Sequence, residues 1–209
     1  MTDLFNSPVL KVEQPSPELN YQITDPQGTL LAYGTQVMGN RPKTGLGRFF
    51  STGSDRSRVV VQVSRPDGAP LFFVDRAEGQ PSSALQPPCA IVTPDGQLIG
   101  RVEHNTAAFA ASFLQADGMG ITQAHRLVDA QGRPMCDITG EAIRVSGLST
   151  ERNLRGGRYS IFTDLQGTEI ARVDGGADPY TLQINYQLPE PLRTLVIAAP
   201  LALDLMPGS

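Results

Sequence analysis

Two cysteines and two histidines are the side chains of this chain best suited to bind a metal ion. They are Cys89, His104, His125 and Cys136, and the intervals between them are 15, 21 and 11 residues. Zinc sites usually contain pairs of ligands roughly two to four residues apart, and these intervals provide no such pair. We therefore expect no metal site and no cofactor. Two cysteines are also too few to indicate a disulfide framework.

Basic side chains form the second group that could do chemistry. They are Arg41, Lys43, Arg48, Arg56 and Arg58, in a stretch of 18 residues whose single acid is Asp55. Gly, Pro and Ser around them indicate an exposed loop. Each cation near an anionic membrane contributes about 1 kcal/mol, and the arginine fork suits phosphate. The cluster predicts a site for anionic phospholipid. The alternative is a solvated loop that balances acids elsewhere.

Signatures of covalent catalysis are missing from the sequence. There is no G-x-S-x-G, and no Cys-His pairing with a recognisable orienting group. The run 45–47, Gly-Leu-Gly, lacks the Lys-Ser/Thr that a P-loop requires. We therefore expect a protein that is not an enzyme. The net charge of −4 also argues against nucleic acid as a partner, because binding it requires clustered cations that neutralise phosphates.

A hairpin pattern recurs five times and must position these groups. Each copy is an apolar strand, a turn that ends in Gly, and a second strand. The copies are YQITDPQGTLLA (21–32), VQVSRPDGAPLF (61–72), CAIVTPDGQLIG (89–100), HRLVDAQGRPMC (125–136) and SIFTDLQGTEIA (160–171). An Asp three residues or one residue before the Gly can bond the turn backbone, and Gly permits a positive φ. The five segments are predicted to be hairpins of half-buried strands.

The spacing of the repeats leaves room for further strands. Candidates are Val9 to Gln14, Thr35 to Met38, Arg48 to Thr52, Ala107 to Gln115, Glu141 to Ser146 and Tyr180 to Gln187. About a dozen strands are expected in total, and a closed antiparallel barrel suits that number because it leaves no strand edge exposed. We therefore predict an all-β fold with one helix, in a single domain spanning residues 1–209.

The last apolar segment departs from the hairpin pattern. Residues 192–206 are apolar on every face of a helix, which favours burial on all sides. We expect a helix near residues 190–206 in the core of the barrel, with Pro200 kinking it or removing one hydrogen bond. An edge strand and insertion into a membrane are the alternatives. The segment is too short to cross a membrane as a simple helix, which requires roughly 20 apolar residues.

The order of these elements resembles the tubby-like superfamily, which includes tubby C-terminal domains, phospholipid scramblases and LURP-one-related proteins. The resemblance rests on Pro8 to Gln14, on Tyr21 to Asp25 with Gly28 and Leu30, and on Leu195 to Ala199 with Leu201, Leu203 and Asp204. It implies a twelve-stranded barrel around a central hydrophobic helix. It also implies binding of phosphoinositides through basic surface residues. The chain has no acidic run like the calcium segment proposed for scramblases.

Two functions from different classes follow from the sequence. The first is a non-enzymatic module that docks on anionic phospholipid or phosphoinositide at the cytoplasmic face of a membrane. The alternative is a scaffold domain that binds a protein partner and has no role with lipid. Residues 1–5 lack the basic and apolar regions of a signal peptide, so a cytoplasmic protein with reduced thiols is expected.

Overall fold

A computed structural model describes residues 3–15, 19–39, 57–79, 87–108, 110, 121–143, 145–146, 149–150, 158–175 and 179–206. Fourteen strands and one long helix occupy these ranges. The strands are β1 (Val9–Glu13), β2 (Asn20–Thr24), β3 (Leu30–Met38), β4 (Val59–Ser64), β5 (Pro70–Arg76), β6 (Cys89–Val92), β7 (Leu98–His104), β8 (Ile121–Asp129), β9 (Pro134–Ile143), β10 (Val145–Ser146), β11 (Ser149–Thr150), β12 (Arg158–Asp164), β13 (Glu169–Gly175) and β14 (Tyr180–Ile184). The C-terminal helix is α1 (Leu192–Leu205).

Twelve of the strands form a closed antiparallel barrel. Their order around the wall is β1-β14-β13-β12-β9-β8-β7-β6-β5-β4-β3-β2, and β2 pairs with β1 to complete the ring. The short strands β10 and β11 form a separate hairpin. The structure thus confirms the predicted barrel of about twelve strands with one C-terminal helix.

The antiparallel order gives the barrel two different ends. The five repeated hairpin turns, at residues 25–29, 65–69, 93–97, 129–133 and 164–168, all lie at one end, which we call the turn end. Strands β3, β5, β7, β9 and β13 run away from it, so the connections that follow them leave from the opposite end, which we call the linker end. Helix α1 enters at the turn end and finishes at the linker end.

Each hairpin turn is held by the same backbone pattern. In the first turn, the amide of Asp25 donates to the carbonyl of Thr29 at 2.9 Å, and the amide of Gly28 donates to the carbonyl of Asp25 at 3.0 Å. The Asp25 carboxylate accepts the amides of Gln27 and Thr29 at 2.9 and 2.8 Å. Gly28 has a φ of 84°, a conformation that costs other L-residues energy. The predicted turn chemistry is therefore confirmed.

A β-bulge follows every one of these turns. In the first hairpin Ile23 pairs with Ala32 and Thr24 pairs with Leu30, so Leu31 is the unpaired residue. The equivalent bulged residues in the other hairpins are Leu71, Ile99, Met135 and Ile170. All five are apolar, and all are buried or half-buried. The bulges therefore add a ring of apolar side chains to the turn end.

Helix α1 fills the barrel. Apart from the half-buried Asp204, all its residues are buried, and it packs mainly on β5 to β8. The contact is closest at Gly100 of β7, where a Cβ atom would lie 2.3 Å from the carbonyl oxygen of Val128 and 2.9 Å from Leu195. Pro200 lies within the helix, which continues to Leu205. A small residue in the wall is thus what allows the helix to approach the sheet.

The N-terminal segment and the start of α1 meet at the turn end. Leu4 is buried in the core, and the guanidinium of the buried Arg193 donates to the carbonyl of Ser7 at 3.2 Å. The carboxylate of Glu190 accepts the hydroxyl and the amide of Thr194 at 2.7 and 3.3 Å, which satisfies a donor in the first helical turn. These contacts hold the helix entrance in place.

One predicted strand segment is confirmed and the described start of another is wrong. Thr35 to Met38 is extended and forms the second half of β3, which runs without a break from Leu30. Residues 106–108 are helical rather than extended, because the side-chain carbonyl of Asn105 accepts the amide of Ala108 at 3.0 Å and caps the turn. The predicted strand Arg48 to Thr52 lies outside the described residues.

Candidate functional site

Four of the five predicted lipid-binding residues lie outside the described residues, namely Arg41, Lys43, Arg48 and Arg56. Arg58, the fifth, stands directly before β4 and binds Asp75 of β5 with two hydrogen bonds of 3.0 and 2.5 Å. The bonds to Asp75 and its negative charge raise the pKa of Arg58. Because β3 ends and β4 begins at the linker end, the basic stretch must be attached there.

Two apolar side chains are exposed where the basic stretch begins. Val37 and Met38, the last residues of β3, are 53% and 51% exposed. Neighbouring residues of a regular strand point to opposite faces, but the pairing with β4 shifts between Gln36 and Met38. The shift interrupts the alternation at the point where both side chains are exposed. The linker end therefore presents two exposed apolar side chains close to where the basic stretch begins.

A buried arginine closes the inside of the linker end. Arg76, at the end of β5, donates to the carbonyl of Leu205 at 2.7 Å and to the carbonyl of Ser57 at 2.6 Å. Carbonyl groups in the last turn of a helix lack partners in the helix, and a cation there also interacts favourably with the helix dipole. Arg76 thus fixes the end of α1 to the wall.

The two thiols are free and are buried in the wall. The hydrogen of Cys89 points to the carbonyl of Ala202, with a sulfur–oxygen distance of 3.6 Å. Burial raises the pKa of Cys89 and of Cys136 to about 12. A catalytic cysteine requires the opposite environment, since the thiolate is the nucleophile. Both side chains act as packing residues of the barrel.

The two histidines of the chain are brought together by the pairing of β7 with β8. His104 pairs directly with His125, and their ring centroids are 4.6 Å apart with 38° between the planes. Both lie two residues from the inward-facing pair Val102 and Leu127, so both face the inside of the linker end. The sequence interval of 21 residues gave no sign of this pair, because the register between the two strands decides it.

An open apolar groove lies at the turn end, with a volume of about 510 Å³. Leu165 and Tyr186 are each 57% exposed beside it, and the start of α1 forms part of its floor. The lining residues are Pro134, Met135, Asp164, Leu165, Gln166, Thr168, Ile170, Tyr186, Leu188, Pro189 and Leu192. The exposure of these two side chains makes the groove a second candidate surface.

A signal for the groove was present in the sequence. The position two residues before the turn glycine is Pro26, Pro66, Pro94 and Ala130 in four hairpins, whereas the fifth has Leu165. A large apolar side chain at an exposed turn position departs from the other copies. Tyr186 had no comparable signal, since it follows the last strand in a segment without a repeat.

No helix in the described part of the chain is long and apolar enough to cross a membrane. Within the same residues, no group of three or more His, Cys, Asp or Glu side chains could hold a metal ion. Comparison of the chain with family models, curated proteins and solved structures found no match.

Proposed function

We propose that this protein is a non-enzymatic binding module that docks its linker end on anionic phospholipid, including phosphoinositides, at the cytoplasmic surface of a membrane. The observation that carries the proposal is the exposure of Val37 and Met38 directly before the basic stretch 41–58. Peripheral membrane binding combines apolar side chains that enter the interface with cations that attract headgroups.

The charge of the basic stretch supports the same surface. Five cations at about 1 kcal/mol each would suffice for reversible binding to an anionic surface, although the bond to Asp75 reduces the contribution of Arg58. The resemblance to tubby-like domains, which implies phosphoinositide binding through basic residues, supports the same class of ligand. The filled barrel contributes rigidity, because α1 occupies its interior.

Co-sedimentation with liposomes tests the proposal. The full chain should pellet with vesicles that contain phosphatidylserine or a phosphatidylinositol phosphate, and should remain in solution with phosphatidylcholine alone. Binding should weaken as salt rises, because exposed charges are screened. Replacing Arg41, Lys43, Arg48, Arg56 and Arg58 by Glu should abolish it.

Two further variants separate the apolar contribution from the charge. Val37→Asp combined with Met38→Asp should reduce pelleting while the five cations remain. Arg65→Glu, an exposed cation at the turn end, is the matched control and should leave binding unchanged. Failure of the wild type to pellet at low salt would refute lipid docking, as would pelleting of the fivefold Glu variant at the level of the wild type.

The alternative is a protein-interaction module, and the groove at the turn end favours it. A library of displayed peptides selected on the full chain would test this function. Selected peptides should lose binding to the variants Leu165→Asp and Tyr186→Asp and retain binding to Val37→Asp. Peptides that bind all of these variants equally would exclude the groove as the site.

A further inference from the structure

We propose that His104 and His125 form a two-histidine site for a divalent transition-metal ion at the linker end, with water completing the coordination. The inference rests on the cross-strand pairing of the two rings and is independent of lipid docking. The observed residues provide these two ligands and no third in the described part of the chain. The site is therefore expected to be exchangeable rather than a closed structural centre.

The separation of the rings matches two imidazoles bound side by side to one ion. An imidazole nitrogen binds zinc at about 2.0–2.1 Å, which places each ring centroid roughly 3.2 Å from the metal. Two such rings that meet at about 90–110° then have centroids about 4.5–5.2 Å apart. The observed distance between the centroids of His104 and His125 is 4.6 Å. The spacing of the two rings therefore suits a shared ion.

The two histidines differ in how far they are exposed. His104 is half-buried and His125 is 3% exposed, so the pair is open to solvent on the side of His104. Imidazole is a suitable ligand for copper, nickel and zinc. Of these three divalent ions, the site should bind Cu²⁺ most tightly.

Two neighbours of the histidine pair, Arg126 and Asn105, bind the same carboxylate. Arg126, beside His125 on β8, faces the other side of the sheet and donates to Asp137 at 2.7 Å. Asn105, which follows His104, donates to the same carboxylate at 2.9 Å. These contacts connect β8 and the end of β7 to Asp137 of β9 beside the histidine pair. They support the strands that carry the two ligands.

Titration of the full chain with Cu²⁺, Ni²⁺ and Zn²⁺ by calorimetry, after treatment with EDTA, tests the site. One equivalent should bind, with Cu²⁺ tightest, and Zn²⁺ should raise the melting temperature because it binds the folded state. His104→Gln should weaken the affinity at least about tenfold, since even the loss of a residue that supports a ligand commonly costs this much. An affinity within twofold of the wild type would overturn the proposal.

A second measurement requires no substitution and covers the case in which a variant fails to fold. Electron paramagnetic resonance of the wild type with one equivalent of Cu²⁺ should show two imidazole nitrogens bound to copper. Detection of no imidazole nitrogen or of a single one would overturn the site, as would the absence of binding by the wild type. The variant Cys89→Ala, which alters a buried thiol outside the pair, should bind Cu²⁺ like the wild type.

Discussion

The two ends of the barrel are closed in different ways. The turn end uses one solution five times, with a tight turn, a glycine at positive φ and a bulged apolar residue in every hairpin. At the linker end, one buried arginine connects the end of α1 to the wall, and the strands are joined by longer connections. The turn end thus combines repeated local chemistry with the contacts that hold the start of α1, whereas the linker end lacks the repeated turns and depends on a few long-range contacts.

This difference bears on where function lies. Short turns leave little chain that can vary without loss of the fold, while longer connections on a rigid scaffold are where binding residues usually occur. The basic stretch, the exposed Val37 and Met38 and the histidine pair all belong to the linker end. The groove is the exception at the turn end, and it lies beside the one turn with a large apolar residue.

The largest effect is expected where α1 meets the wall. Gly100→Ala should destabilise the fold by about 3 kcal/mol or more, because the new Cβ would lie 2.3 Å from a backbone oxygen. Urea denaturation measures the change. Gly96→Ala is the control: it strains the backbone at a φ of 87° but contacts nothing within 4 Å, and should cost about 1–2 kcal/mol. Equal losses in both variants would show that close packing at Gly100 is unimportant.

Removal of the arginine that closes the linker end should have the next largest effect. Arg76→Met leaves the carbonyls of Leu205 and Ser57 without this donor and should cost about 2–3 kcal/mol. Arg133→Met removes an exposed arginine of the turn end and should cost less than about 1 kcal/mol. If the two variants unfold at the same denaturant concentration, the contrast between the ends is wrong.

The turn aspartates should have a smaller, pH-dependent effect. Burial tends to raise the pKa of Asp25, but hydrogen bonds from Thr29, Gln27 and Gly28 lower it overall. Its stabilisation is therefore complete above the ordinary pKa of Asp, about 3.9, and is lost as the pH falls through the lower folded value. Asp25→Ala should reduce the melting temperature by a few degrees at pH 7 and much less at pH 2.

A matched turn shows whether this role is specific to the position of the aspartate. Asp67 precedes its glycine by one residue and accepts a single amide, that of Ala69 at 3.0 Å. Asp67→Ala should therefore change the melting temperature less than Asp25→Ala at pH 7. A larger change in the Asp67 variant would contradict the assignment of the turn contacts.

The smallest effect concerns the thiols, which report on opening of the wall. With the pKa of Cys89 and Cys136 at about 12, Ellman's reagent should react with neither thiol on the timescale of minutes at pH 8. Arg76→Met should accelerate the reaction of Cys89 more than that of Cys136, because Cys89 pairs with Arg76 in the wall. Rapid labelling of both thiols in the wild type would show that the wall opens readily.

Local features were predictable from the sequence, and long-range features were not. The five hairpins and the terminal helix follow from turn residues and apolar periodicity within short windows. The residue three positions after each turn glycine is apolar in all five copies, but its place in a bulge was missed. Ala32, Phe72 and their equivalents are the residues that pair across the sheet. The alternation of apolar and polar residues along a strand cannot show that one residue is left unpaired in a bulge.

The candidate sites required the register of the whole wall. His104 and His125 meet because β7 and β8 pair at one specific offset, which no local pattern encodes. The exposure of Val37 and Met38 likewise depends on how β3 pairs with β4 after the shift at Gln36. The basic stretch could be recognised from composition, and its attachment to the linker end follows from the strand order alone.

The position of α1 after all twelve wall strands has a consequence for how the chain folds. Val9 of β1 pairs with Gln183 of β14, so the ring closes across most of the chain, and the segment that fills it is synthesised only afterwards. Until residues 192–205 leave the ribosome, the inward faces of the wall lack their cover and expose apolar surface. The high share of distant contacts also indicates slow refolding, on the order of milliseconds to seconds. A nascent chain paused within β14 should therefore be a preferred substrate for chaperones that bind apolar strands.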